Sequence, residues 1–197
     1  MKRVLLLFLF LGILPIACFQ KVGYYFNITN LDCQVFKDDS LFTLVQPSDS
    51  LTANEVFIKI DVTYEYVGAN STSKGISFPG SIYAFDKPLP GKNGLKEKLN
   101  SIKISSNNEF NGHDAGSNIK ELFKWHDIQW DGQKKPIDSL VILLNRECFF
   151  IGPNPYFFKL ILNGRPTDSL QHVFSFDFIY ENGNHQLIKT TKINWKK

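Results

Sequence analysis

The sequence predicts an all-β protein, an immunoglobulin-like antiparallel β-sandwich with one short helical insertion. Three observations carry that expectation. Residues 56–66 place Val56, Ile58, Ile60, Val62, Tyr64 and Tyr66 on one face, and Lys59, Asp61, Thr63 and Glu65 on the other, broken only by Phe57. A sustained period of two means a strand with one face in the core and one in water. Residues 174–180 alternate Phe174, Phe176, Phe178 and Tyr180 with Ser175, Asp177 and Ile179, and the turn that follows holds Asn182-Gly183, a pair suited to positive φ. The 18 phenylalanines, frequent Asp, Asn, Ser and Gly, and scarce Ala favour strands and turns over helices.

In chain order, the first strand is expected at 24–29, where aromatic and β-branched residues concentrate. A second is expected at 41–45, after the turn Lys37-Asp38-Asp39-Ser40. The 56–66 strand follows, and its polar face suits an antiparallel sheet, because parallel strands are covered on both faces. A polar loop over 68–80 leads to a strand at 81–86 with Tyr83 and Phe85. Pro88-Leu89-Pro90-Gly91-Lys92-Asn93-Gly94 turns the chain, and Ile102 and Ile104 mark a strand at 99–105. Residues 118–125 read as the helix: Asn118 caps it, Glu121 lies three residues on, and Ile119, Leu122 and Phe123 share a face. The apolar run 140–144 reads as a short buried strand, and 156–162 as another. The last hairpin pairs 174–180 with 187–195, placing Leu187, Ile193 and Trp195 on one face. Strands and helices are not interleaved, which disfavours α/β folds.

The first residues set the expected address. Residues 1–17 read as a lipoprotein signal peptide, 18–23 as a lipidated tether and 24–197 as a single β-sandwich domain. Lys2 and Arg3 precede an uncharged run over 4–17, shorter than the about 20 residues a membrane-spanning helix needs. Ala17-Cys18 matches the essential pair of a lipobox, with Pro15 in place of the usual Leu. A plainly secreted protein and an uncleaved anchor are the other readings of this leader. Two acyl chains anchor stably where one does not, so a diacylated Cys18 would hold the body at a membrane. Phe19-Gln20 follows with no Asp, which favours the outer membrane, facing the periplasm or the surface. The formal charge of +3 includes Lys2 and Arg3, so the chain from Cys18 carries +1, and no nucleic-acid partner is expected. The expected partners are the membrane, through the lipid, and a protein or glycan.

Several stretches carry a family likeness: the leader ending in Cys18, Tyr83-Ala84, the Pro88-Leu89-Pro90-Gly91 turn, the block Ile102-Lys103-Ile104-Ser105-Ser106-Asn107-Asn108-Glu109-Phe110, and Ala115-Gly116-Ser117-Asn118. Together they resemble a domain-of-unknown-function family of roughly 200-residue lipoproteins from Bacteroidota. The resemblance spans nearly the whole chain and implies the envelope address; it supplies no catalytic residues. Asp-Ser-Leu occurs at 39–41, 49–51, 138–140 and 168–170, where composition alone gives roughly 0.5 Asp-Ser/Thr-apolar matches. The repeat resembles the O-glycosylation acceptor of that phylum, which would place glycans on Ser40, Ser50, Ser139 and Ser169. Ordinary turn chemistry, with Asp and Ser bonding nearby amides, is the alternative.

Other chemistry is sparse. With Cys18 lipidated, Cys33 and Cys148 either pair in an oxidising envelope or remain two buried thiols; the residues leave both open. His113, His126, His172 and His185 are scattered, so no metal site and no cofactor are expected. Asn107-x-Glu109-x-Asn111-Gly112 starts like a calcium loop, but its twelfth position is Asn118, not Glu. No Gly-x-Ser-x-Gly elbow or phosphate loop occurs, and no catalytic residue is assigned. Trp125 and Trp130 are the candidate ligand contacts, as stacking platforms for a sugar or anchors for a protein; the alternative has them closing the end of the sandwich. The first functional reading is thus a membrane-tethered, non-enzymatic binding or structural module. An envelope hydrolase with a loop-built site and a fimbrial-type subunit stand behind it.

Overall fold

The computed structural model of the chain describes residues 25–39, 41–68, 91, 93–126, 132–146, 156–164, 166–167 and 171–196. These form strands β1 (Tyr25–Lys37), β2 (Ser50–Leu51), β3 (Val56–Val67), β4 (Leu99–Ser106), β5 (Phe123–His126) and β6 (Lys134–Pro136). Helix α1 (Ile137–Arg146) follows, then β7 (Tyr156–Leu162), β8 (Gln171–His172), β9 (Phe174–Tyr180), β10 (His185–Lys189) and β11 (Ile193–Trp195). A five-stranded antiparallel sheet runs β1-β3-β7-β5-β6, and a three-stranded antiparallel sheet runs β10-β9-β4. A third small sheet, β2-β11-β8, pairs β11 parallel to β2 and antiparallel to β8. The described residues adopt the expected all-β, sandwich-like architecture with one short helix.

Alternation builds the core. Val56, Ile58, Ile60, Val62 and Tyr64 of β3 are buried, as are Phe174, Phe176, Phe178 and Tyr180 of β9. Ile60, Phe158 and Leu160 of the larger sheet meet Ile102, Ile104, Phe176 and Phe178 of the second sheet and Ile137 and Leu140 of α1. Phe57, the break in the β3 pattern, is 3% exposed on the outer face. Phe36 stacks on it at 5.6 Å, Phe42 meets it edge-on at 5.5 Å, and the Lys159 ammonium lies 4.2 Å over its ring. Lys159 is itself held by Asp38 at 2.6 Å, so this apolar exception has its own cover.

Helix and strand are exchanged relative to expectation at two places. Residues 118–125 form only a single 3-10 turn, Lys120–Leu122, before β5. Phe123 and Trp125 face inward and Lys124 and His126 outward, with β7 and β6 as neighbours; the two-residue period wins over three apolar residues at helical spacing. Residues 140–144, expected as a strand, lie inside α1. Ile137, Leu140, Val141 and Leu144 are buried at i, i+3, i+4 and i+7, so the helical stripe reaches beyond the short apolar run. Asp138 in the first turn and Arg146 in the last suit the helix dipole.

Residues 41–45 form no strand, and only Leu44 bridges to Phe36. The Asp39 carboxylate accepts from the Leu41 and Thr43 N–H groups at 3.1 Å each, and Phe42 takes φ 48°. Those bonds, Thr43's first, hold the Asp39 carboxyl below its ordinary pKa. Residues 187–195 are two strands in different sheets. Leu187 is 57% exposed, whereas Ile193 and Trp195 are buried. The break falls at buried Thr190, whose N–H donates to Phe174 O while its hydroxyl accepts from Phe174 N–H. The strand expected at 81–86 lies outside the described residues.

Candidate functional site

The site grows from the edge of β1. Phe26 N–H donates to Gly94 O at 3.1 Å and Lys96 N–H donates to Phe26 O at 2.9 Å, so Leu95 bridges Phe26 in parallel. Two residues later β1 bulges between Ile28 and Asn30, and the 94–96 segment parts from it. The β9–β10 hairpin stands opposite. Between them is a cleft of about 430 Å³, within the range of small-ligand sites.

Buried Ile28, Leu95 and Tyr180 make its floor. Burial pushes the Tyr180 phenol up to about 12, so it stays neutral and donates to Gln186 Oε1 at 2.6 Å. Asn27 and Glu65, cross-strand partners on β1 and β3, form one wall. Glu97 and the hairpin residues Asn182, Asn184 and His185 form the other. Asn182 Nδ2 donates to Glu97 Oε2 at 2.9 Å, and Asn182 Oδ1 accepts the Asn184 N–H at 2.9 Å, which rigidifies the hairpin tip. His185 Nδ1 lies 3.1 Å from both oxygens of Asp177.

The Asn27 side-chain oxygen is buried and has no hydrogen-bond partner among the described residues. Such an acceptor costs about 1–3 kcal/mol for as long as it stays unpaired. Among the described residues no Lys or Arg lines the cleft, so the carboxylates of Glu65 and Glu97 stand there beside amide, hydroxyl and imidazole groups.

The residues singled out from the sequence are not gathered here. Cys18, Cys148, Trp130, Ser40 and Ser169 lie outside the described residues. Trp125 is 1% exposed, so it has no free face for a ligand; this corrects its reading as a ligand contact. Its indole N–H donates to Ser139 Oγ at 2.8 Å, and that hydroxyl donates to Pro136 O at 2.7 Å. Ser139 is therefore committed on both sides, whereas Ser50 is exposed on β2. Asp49 accepts the Gln46 N–H at 2.8 Å, as turn chemistry anticipates.

Cys33 carries a free thiol on the core face of β1, opposite Ile60; of the two readings left open, the buried thiol is the one seen at this position. Burial first, and Asp32 second, push its pKa up to about 12. The expected result is that iodoacetamide at pH 8 leaves Cys33 unmodified in the folded protein and alkylates it in denaturant, as read by peptide mass. Alkylation at equal rates in both states would contradict the placement.

The calcium-like loop is a structural clasp. Asn107 Oδ1 accepts the Val173 N–H at 2.7 Å, and Asn111 Oδ1 accepts the Thr167 N–H at 2.8 Å. His172 is fully buried, with Nδ1 accepting from the Trp195 indole and Nε2 on Glu109 O, both at 3.0 Å. Both ring nitrogens are thus used in holding the core together. No group of three or more His, Cys, Asp or Glu that could hold a metal occurs among the described residues.

The cleft residues were missed because they come from 27–29, 65, 95–97 and 180–186, with no local spacing to join them. The one hint was the Asn-rich turn after β9, whose amides do reach the cleft. The chain matches no protein-family model, and comparison with curated proteins and with solved structures found no significant match in either.

Proposed function

We propose that the chain is a membrane-tethered, non-enzymatic binding module of a bacterial cell envelope, held by a lipidated Cys18 and recognising its ligand in the cleft between β1 and the β9–β10 hairpin. The observation that carries the binding half is the cleft itself, roomy and polar-walled, with the buried and unpartnered Asn27 oxygen in its wall. Among the described residues the lining holds no Ser or Cys, its one aliphatic hydroxyl is that of Thr29, and burial shifts the Tyr180 phenol away from the range useful for proton transfer at neutral pH. The tether half is supported by the charged, then apolar, then Ala17-Cys18 leader and by the family resemblance, which also favours the outer membrane of a member of the Bacteroidota. Among the described residues no helix is long and apolar enough to cross a membrane. Of the two described serines of the repeated Asp-Ser-Leu motif, exposed Ser50 is better placed than Ser139 to carry a glycan.

Expressed in a bacterial host with its leader intact, the parent protein is expected in the membrane fraction and Cys18→Ser in the soluble fraction. Unchanged membrane partition of Cys18→Ser contradicts the tether.

A further inference from the structure

We infer that the cleft between β1 and the β9–β10 hairpin takes a basic side chain, guanidinium or ammonium, from an extended peptide laid along the β1 edge. The inference rests on the binding reading above and names its ligand class.

Charge comes first. Glu65 and Glu97 both line the cleft, and neither has a cationic partner among the described residues; Glu97 meets only the neutral Asn182 amide. Two uncompensated carboxylates repel anions and favour a cation with several N–H donors. Hydrogen bonding adds to this, because the buried Asn27 oxygen in the same wall needs a donor. A guanidinium carries five donors in one plane and can serve an amide oxygen and a carboxylate together.

The backbone supplies the reason for a peptide. In an antiparallel ladder the peptide groups of successive residues point to opposite sides, so residues two apart point the same way. Phe26 spends its N–H and C=O on the 94–96 segment, away from β3. Ile28, two residues on and before the bulge, points the same way, into the space the 94–96 segment has left. An extended chain can take up the ladder there, with Ile28 as its first partner, and place a side chain against Asn27 and the two glutamates.

The test uses the full Cys18→Ser chain and fluorescence anisotropy with a labelled octapeptide of alternating Arg and Val. The arginine peptide is expected to bind, and its citrulline counterpart, equal in shape but uncharged, about tenfold or more weakly. Combined Glu65→Gln and Glu97→Gln is expected to lose a similar factor without lowering Tm, since both side chains are exposed. The citrulline comparison needs no variant, so a misfolded double variant leaves the test intact. Spermidine is expected not to compete at equal concentration; stoichiometric displacement by it would reassign the site to free polyamines and overturn the peptide. Equal binding of the citrulline peptide, or binding of chitotetraose in place of the arginine peptide, overturns the basic ligand and leaves the binding reading standing. Absence of binding by all these probes overturns both.

Discussion

Replacing His172 with alanine is expected to destabilise the protein by ~3–5 kcal/mol, the larger of two effects that follow from its buried clasps. The ring is 0% exposed and joins three segments that are far apart in sequence. Its Nδ1 accepts from the Trp195 indole on β11, its Nε2 donates to Glu109 O in the loop after β4, and Phe110 packs edge-on at 4.9 Å. These bonds select one neutral tautomer, with the proton on Nε2. Alanine leaves a cavity and an indole N–H with no acceptor in a region closed to water, and the second term alone costs about 1–3 kcal/mol. At this chain size the total corresponds to roughly 10 °C in Tm. Trp195→Phe keeps most of the packing and is expected to cost about 1–2 kcal/mol. The double variant should fall short of the sum, because both changes break the same bond. Urea midpoints of the four proteins measure this; additive effects, or a loss under about 1 kcal/mol for His172→Ala, would contradict the clasp.

Gly94→Ala is expected to cost about 3 kcal/mol or more, whereas Gly112→Ala should cost about 1 kcal/mol. Both glycines sit at positive φ, +77° and +80°, so the backbone cost is common to them. They differ in surroundings. A Cβ on Gly94 would lie 2.3 Å from the Asn145 carbonyl oxygen and 2.6 Å from its carbon, while one on Gly112 meets nothing within 4 Å. The close approach exists because this segment closes the end of α1. Leu95 N–H donates to Leu144 O at 3.0 Å, Lys98 donates to Asn145 O, and the Asn145 amide holds both peptide groups of Leu99 at 2.9 and 2.7 Å. Desolvation at that contact lowers the Lys98 pKa. Pushing Gly94 away from the helix would also move Leu95, the cleft floor. Thermal melts of the two variants separate the crowding from the backbone cost, and equal losses would contradict the packed helix end.

How much of this was legible depended on whether the signal was local. The alternation in β3 and β9 is written in consecutive residues, and the apolar stretches of β4 and β7 read as strands too; the structure follows these with small boundary changes. Phe57 stood out as an exception, and its cover by Phe36, Phe42 and Lys159 comes from three other segments that no window of sequence contains. The α1 stripe was missed because only its central apolar run was weighed, although Ile137 extends it by a turn. The sequence leaves Trp125 open between a ligand contact and a residue closing the sandwich end, because its burial on β5 depends on the neighbouring β7 and on the Ser139 acceptor. The cleft was illegible for the same reason: it arises where two sheet edges diverge around a bulge.

We place recognition between β1 and the β9–β10 hairpin. Amide chemical-shift mapping of the isotopically labelled Cys18→Ser chain, titrated with the alternating Arg-Val octapeptide, tests it most directly. Saturable shifts are expected at Asn27, Ile28, Leu95 and the 180–186 hairpin, with the exposed 41–44 turn unmoved. Shifts confined to that turn, or no saturable shift anywhere, would contradict it.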